Sequence, residues 1–342
     1  PRIDFSNDAK GALLLEPSMT NNIVLSNGFN DASWVKSNST ISSYSLGVGG
    51  STDAWELNAT SAGGYISRSV SSNGTQVYSI YAKAGNLNFL RLRVSGSANP
   101  ACFFDLVNGT IHNNDGISAS MNNVGNGWYK CQYTLTSNAT TAYIYPADTS
   151  GSISSSGSIY IQYAQLEQGS YATSYIPTQG SVVTRVADSC SQTVPSGVKI
   201  ENQGSLYFEF NSSYLEAYSQ RILTISEDVS NLIEFQLASA NLLTFVLVKS
   251  GQSGVVITKS APSITLGENT KIAAAFSNGD FVFYVNGTLI GTDTDPSKSV
   301  PTISDIKFSR YNSTTPFIGS VNNLKLYNTR LSNAELQALT SN

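Results

Sequence analysis

The chain has 342 residues, more than one compact core usually holds, so two domains are expected. Charged residues make up only 12% and the net charge is -4, so the chain lacks the basic surface that nucleic acid or an anionic membrane would attract. Hydrophobic residues at 40% suffice for real cores, yet no run approaches the roughly 20 apolar residues of a membrane-spanning helix, so membrane insertion is not expected.

The chain opens Pro1-Arg2-Ile3-Asp4, without an initiator methionine or a signal-peptide pattern, and reads as a fragment or a processed product. Beyond it run short alternating segments bounded by Gly, Asn, Ser and Asp. That period of two marks antiparallel strands with one buried and one wet face. The first clear one covers 77–82. In 89–94 the alternation is sharpest: Leu90, Leu92 and Val94 point one way, Phe89, Arg91 and Arg93 the other. Cys102 shares a face with Phe104 and Leu106, and Asn108-Gly109 supplies a tight hairpin turn. In 128–135, Cys131 shares its face with Tyr129, Tyr133 and Leu135. Tyr143 and Tyr145 then lie on one face of their strand, opposite Ile144.

Near residue 180 the composition shifts, and 181–203 reads as a connector with one short strand from Val182 to Val186. Strands resume at 205–210, and Asn286-Gly287 marks a second hairpin. At the C-terminus Ser332 and Glu335 form a capping box ahead of Leu336 and Leu339, which predicts a short helix. The expected fold is all-β: two antiparallel β-sandwich (jelly-roll) domains in tandem, at 1–180 and 204–342, with a short C-terminal helix.

Catalytic chemistry finds little support. The one histidine, His112, follows the Asn108-Gly109 turn and reads as a solvated loop residue with no activated nucleophile beside it. Cys102, Cys131 and Cys190 form no CxxC pair, so zinc is unattractive; they read as buried free thiols, with a Cys102–Cys131 bridge as the lesser alternative. Glu201, Glu209, Glu216, Glu227 and Glu234 cluster late in the chain, but no two alternate on one strand face as paired glycosidase carboxylates often do. An enzyme is not expected.

Sugar binding is better provided for. Aromatic faces stack on C–H surfaces and planar polar groups fork onto hydroxyls. Phe89, Arg91 and Arg93 lie on the wet face of one strand, and Tyr143 and Tyr145 on one face of another. If those strands are neighbours, a concave aromatic-and-arginine surface results; otherwise the tyrosines pack into a core or an interface.

Several motifs carry a resemblance. They are Leu13-Leu14-Leu15-Glu16-Pro17, Asn21-Asn22-Ile23, the run from Phe29 to Trp34, Tyr81 to Gly85, Gly125 to Tyr129, Ala164 to Gly169 with Thr173 to Thr178, and Thr184 to Asp188. In this order, over roughly residues 1–190, the chain resembles a sandwich domain of bacteriophage tail proteins, similar to carbohydrate-binding modules with a galactose-binding-like jelly roll. The runs 281–287, 317–321 and 324–336 make residues 204–342 resemble a laminin-G or concanavalin A-like sandwich.

The resemblance implies a core position for Trp34, and possible structural calcium near Glu16, Asp31 and Glu167, which could equally be surface acids. It also makes Arg310, Tyr311 and Asn312 candidate glycan ligands on an end loop, with ordinary loop packing as the alternative. The function it implies is noncatalytic binding of a bacterial surface glycan or polysaccharide by the receptor-binding part of a phage tail fibre. The expected setting is the virion tail, with other tail subunits and a possible homotrimer as partners. The alternatives are a structural or docking module of the tail, or a secreted bacterial polysaccharide-binding protein.

Overall fold

The computed structural model describes residues 1–5, 9–44, 46–112, 117–198, 200–212, 220–239, 242–260, 265, 267–309 and 317–341. Two compact units emerge, one made of Met19–Arg185 and the other of Pro1–Ser18 together with Val186–Asn342. Both are built of antiparallel strands, and the C-terminal helix spans Asn333–Thr340. That helix is too short to cross a membrane, as is every other described helix.

In the unit 19–185, the alternation of apolar and polar residues resolves into two six-stranded sheets around one core. The first sheet has the spatial order Thr110–His112, Ala101–Asp105, Phe89–Gly96, Ala139–Ala147, Tyr65–Ser72 and Val35–Ser37. The second has the order Ala119–Gly125, Trp128–Thr136, Thr75–Ala84, Gly157–Gln168, Ala54–Ala59 and Ser39–Tyr44. Leu90, Leu92, Val94 and Ile144 from one sheet join Tyr78, Ile80, Cys131 and Tyr133 from the other in a single buried cluster. Trp34 is fully buried there, and Trp55 packs against it half-buried. Cys102, Cys131 and Cys190 form no disulfide; the first two are buried and Cys190 is half-buried.

The Asn21 of the entry motif holds this unit closed. Its Nδ2 donates to the carbonyls of Ala164 and Ile176 at 3.3 and 2.9 Å, and its Oδ1 accepts from the amides of Ile23 and Leu166 at 3.0 and 3.2 Å. The side chain is wholly buried, so these four bonds satisfy backbone groups that water cannot reach. Beside it, Met19–Asn21 pairs with Val183–Arg185, which places the strand expected near 182–186 in this unit rather than in a separate connector.

The second unit also has two sheets. Seven strands run in the order Arg2–Asp4, Ala12–Leu15, Gly319–Tyr327, Gln203–Asn211, Asn269–Ser277, Asp280–Val285 and Thr288–Asp293. Six more follow the order Ser191–Thr193, Asp305–Lys307, Gln220–Asp228, Asn231–Ser239, Leu242–Val248 and Val255–Ser260. Asn286 and Gly287, at φ of 45° and 75°, make the left-handed turn between two of these strands, as their dipeptide predicts.

The N-terminal residues differ from expectation. Read with the first sandwich, 1–18 instead extend the seven-stranded sheet of the second. Leu13, Leu14 and Leu15 pair with Val321, Ser320 and Gly319, and Leu15 is buried in that core. The Glu16 amide donates to Asp188 Oδ2 at 2.8 Å, and the N-terminal amine lies 2.6 Å from Asp188 Oδ1. The connector contributes in the same way, because Ser191–Thr193 pairs with Asp305–Lys307.

The C-terminal helix forms where its capping box predicts. The Ser332 Oγ accepts from the Glu335 amide, and Glu335 Oε2 accepts from the Ser332 amide at 2.7 Å. Its stripe covers the outer face of the seven-stranded sheet. Leu336 is buried against Tyr207, Ala273, Ala275, Val282 and Tyr284, with Leu339 packed alongside.

Candidate functional site

The strand Phe89–Gly96 shows why its wet face becomes a site. Leu90, Leu92 and Val94 are buried, whereas Phe89, Arg91 and Arg93 are half-exposed on the opposite face. The strand lies in the middle of its sheet, so each of these residues has a neighbour on either side. Arg93 pairs with Tyr143 and Arg91 with Tyr145 on one flank, and Arg91 pairs with Phe103 on the other.

This register sets the side-chain geometry. The Arg93 guanidinium lies 5.0 Å from the centroid of Tyr143. The Arg91 guanidinium stands 4.9 Å from Tyr145 and 5.5 Å from Phe103, between two rings. Cation–π attraction holds both flat groups against aromatic faces and limits their rotamers. Arg93 also donates to Asn99 Oδ1 at 3.0 Å.

The tyrosines are themselves packed. Tyr143 and Tyr145 stack with centroids 6.0 Å apart, and Tyr65 meets them at 5.3 and 5.1 Å. Tyr145 is only 4% exposed, so it acts mainly as a floor, while Tyr65 and Tyr143 remain half-exposed. Burial pushes the Tyr145 phenol above its ordinary pKa, partly offset by a hydrogen bond from Arg93 and by the charges of both arginines. It therefore stays a neutral hydroxyl near pH 7. At the other end of the face, Phe89 meets the His112 ring at 5.8 Å.

The structure thus brings Phe89, Arg91, Arg93, Tyr143 and Tyr145 onto one face, and adds Tyr65, Phe103 and His112, which sequence reading missed. Phe103 had a legible signal, since it alternates with the buried Cys102 and Phe104. Tyr65 had none, because only the pairing of Tyr65–Ser72 with Ala139–Ala147 carries it there. His112 is corrected from solvated loop to strand: it pairs with Phe103 in Thr110–His112, and its Nε2 lies 3.3 Å from Thr110 Oγ1. Chemically the cluster offers guanidinium and phenol donors beside aromatic faces.

The other candidates lie elsewhere. Arg310, Tyr311 and Asn312 lie outside the described residues, as does Glu216. Glu209 accepts from the Tyr207 hydroxyl at 3.0 Å and from Asn269 at 3.2 Å. Glu234, on the other sheet of that unit, accepts from Thr224 and Gln236 at 3.2 and 3.0 Å. Glu201 and Glu227 are exposed.

The acids considered for calcium have partners of their own. Glu167 is fully buried and accepts from both the amide and the hydroxyl of Thr173; burial raises its pKa despite these bonds. Asp31 is exposed and accepts from the Ser33 amide at 2.8 Å. Glu16 belongs to the unit that contains Val186–Asn342. Among the described residues no group of three or more His, Cys, Asp or Glu side chains is placed to hold a metal ion.

Residues 186–337 match the concanavalin A-like lectin/glucanases superfamily. The concanavalin A-like match coincides with the later part of the second unit and leaves 19–185 unassigned. No curated protein matches the chain.

Among solved structures, the chain is similar to the CBM40 of the Ruminococcus gnavus IT-sialidase bound to α2,3-sialyllactose. The identity is 18%, with 41% of this chain and 84% of that chain covered, at a TM-score of 0.35. It is also similar to domain 4 of an extracellular arabinanase from Geobacillus stearothermophilus in complex with arabinotriose. There the identity is 20%, coverage is 43% and 71%, and the TM-score is 0.37. A heptameric pentraxin from Limulus polyphemus gives 15% identity, 44% and 73% coverage, and a TM-score of 0.35.

Proposed function

We propose that the protein binds a glycan without transforming it, and that the face around Arg91, Arg93, Tyr65, Tyr143 and Phe103 makes the contact. The observation that carries this reading is the pairing of two ring-held guanidiniums with half-exposed aromatic rings on one sheet. Ring faces suit the C–H surfaces of sugars, and guanidiniums suit their oxygens. The low-charge, Ser-, Thr- and Asn-rich composition and the concanavalin A-like match of 186–337 support the same reading.

The finer reading is host recognition: a bacterial surface glycan bound by the receptor-binding part of a phage tail fibre. The motifs from Leu13 to Asp188 support it. In a trimer, weak single-site affinity would be multiplied by avidity.

Purified, labelled protein is tested against a panel of bacteria and their extracted surface polysaccharides, with reducing ends assayed in parallel. Saturable binding that the cognate polysaccharide competes, without new reducing ends, is the expected result. Running each assay in calcium and in EDTA tests the accessory ion. Absence of binding by folded protein rejects the reading, and release of reducing ends rejects its noncatalytic part.

A further inference from the structure

The sandwich of residues 19–185 has a second wet face, on the sheet across the core from the arginines. In Gly157–Gln168 of that sheet, Ile159 and Ile161 are buried in the core, so the alternation turns Tyr160 outward. Its direct partners across the neighbouring strands are Glu56 on one side and Lys83 on the other, and Ser42 stands beyond Glu56. Tyr160, Glu56 and Lys83 are all half-exposed. The Ser42 hydroxyl donates to Glu56 Oε2 at 3.2 Å.

Tyr160 does not stand alone in this row. Its ring stacks on that of Tyr44, also half-exposed, with centroids 3.9 Å apart and planes within 19°. Two residues along the same strand, the fully buried Gln162 ties down the segment that follows Tyr44. Its Oε1 accepts from the Val48 amide at 2.8 Å, and its Nε2 donates to Ser51 Oγ at 2.7 Å. The stack is therefore held between a central strand and a pinned segment, and little rotamer freedom is left to lose on binding. Tyrosine gives a rigid, amphipathic contact surface of this kind at low entropic cost.

The groups beside the rings match the chemistry of a hydroxyl, which both donates and accepts. Glu56 supplies an acceptor and Lys83 a donor, on strands separated by about 10 Å, two strand spacings. The phenol rings lie between them as a surface for C–H groups. That span is about the length of a disaccharide. Opposite charges on the two flanks favour a neutral sugar over an acidic one, since an anionic group would meet Glu56 as well as Lys83.

We infer that this face is a second glycan site, in which Tyr160 and Tyr44 stack on a neutral sugar while Glu56 and Lys83 bond its hydroxyls. The inference shares its ligand class with the proposed function and none of its residues. With it, one sandwich carries binding faces on both of its sheets.

The test is affinity electrophoresis of the intact chain in gels containing dextran, galactomannan, arabinan, a mixed-linkage β-glucan or polygalacturonate. At least one neutral polymer is expected to retard the protein. Tyr160→Ala, with an unchanged thermal melt, should weaken that binding about tenfold or more, whereas Tyr160→Phe, which keeps the ring, should retain most of it. Tyr143→Ala, on the opposite sheet, separates the two faces. If Tyr143→Ala abolishes binding and Tyr160→Ala leaves it unchanged, the second site falls and the proposed function stands. If only Tyr160→Ala weakens binding, the second site stands and the arginine face falls. Binding through Tyr160 to polygalacturonate alone overturns the assignment to neutral sugars. A dimer in sedimentation that Tyr160→Ala dissociates gives the face to a second copy of the chain and overturns the inference. If folded protein binds none of the five polymers, the second site is rejected.

Discussion

Arg93 and Tyr143 are direct cross-strand partners, and the guanidinium lies 5.0 Å from the ring centroid because the register leaves both side chains on the outer face. The contact links two segments about fifty residues apart, and it sets the orientation of the half-exposed Arg93 guanidinium. A cation–π pair at a half-exposed site contributes about 0.5–1 kcal/mol. A double-mutant cycle on Arg93→Gln and Tyr143→Leu, read by chemical denaturation, should return a coupling in that range. Zero coupling would mean that the ring does not hold the guanidinium.

Asn21 makes four hydrogen bonds from a wholly buried side chain. Asn21→Ala strands two carbonyls and two amides and should cost about 3 kcal/mol, a loss measured as a lower denaturant midpoint at unchanged slope. A loss below about 1 kcal/mol would show that water replaces the amide.

Glu167 makes stability depend on pH. Its folded pKa is raised by burial, so protonation favours the folded state below the ordinary value of 4.5 and that contribution is lost as pH rises through the folded value. Glu167→Gln keeps the hydrogen-bonded shape without a charge. Thermal melts should therefore show the variant gaining on the wild type as pH increases, and a gap constant from about pH 4 to about pH 8 would reject the argument.

Leu15 tests the assignment of the N-terminal strand. It is 1% exposed within the core of the second unit, so Leu15→Ala should destabilise that unit by about 2–5 kcal/mol. Hydrogen exchange should report the loss in Gln203–Asn211 and Gly319–Tyr327, not in Phe89–Gly96. The reverse pattern would return residues 1–18 to the first sandwich.

The terminal helix separates a local effect from a tertiary one. Ser332→Ala removes the cap and should cost about 1 kcal/mol, whereas Leu336→Ala opens the cluster over Tyr207 and Val282 and should cost about 2–5 kcal/mol. Equal losses in equilibrium denaturation would mean that the helix adds no packing.

Much of this was readable in advance, and unevenly. The alternation at 89–94 correctly divided Leu90, Leu92 and Val94 from Phe89, Arg91 and Arg93, because strand geometry alone imposes a period of two. The capping box at Ser332 and the left-handed Asn286-Gly287 turn were legible for the same reason: each is satisfied within a few residues. His112 was misread, since nothing local reveals that Thr110–His112 finds Phe103 as its partner.

The chain's own order of residues decided its class, the wet and dry faces of its strands, its helix and the chemical types available for a site. Which strands became neighbours was decided only in three dimensions. Leu13 to Leu15 would suit the edge of either sandwich by pattern, and pairing with Gly319–Val321 was settled by what Leu15 could bury. Tyr65 reached Tyr143 and Tyr145 through the same kind of choice. Periodicity is a property of the local backbone, whereas strand pairing is won by burial between segments far apart in the chain, and that second competition assembled the face on which function is proposed.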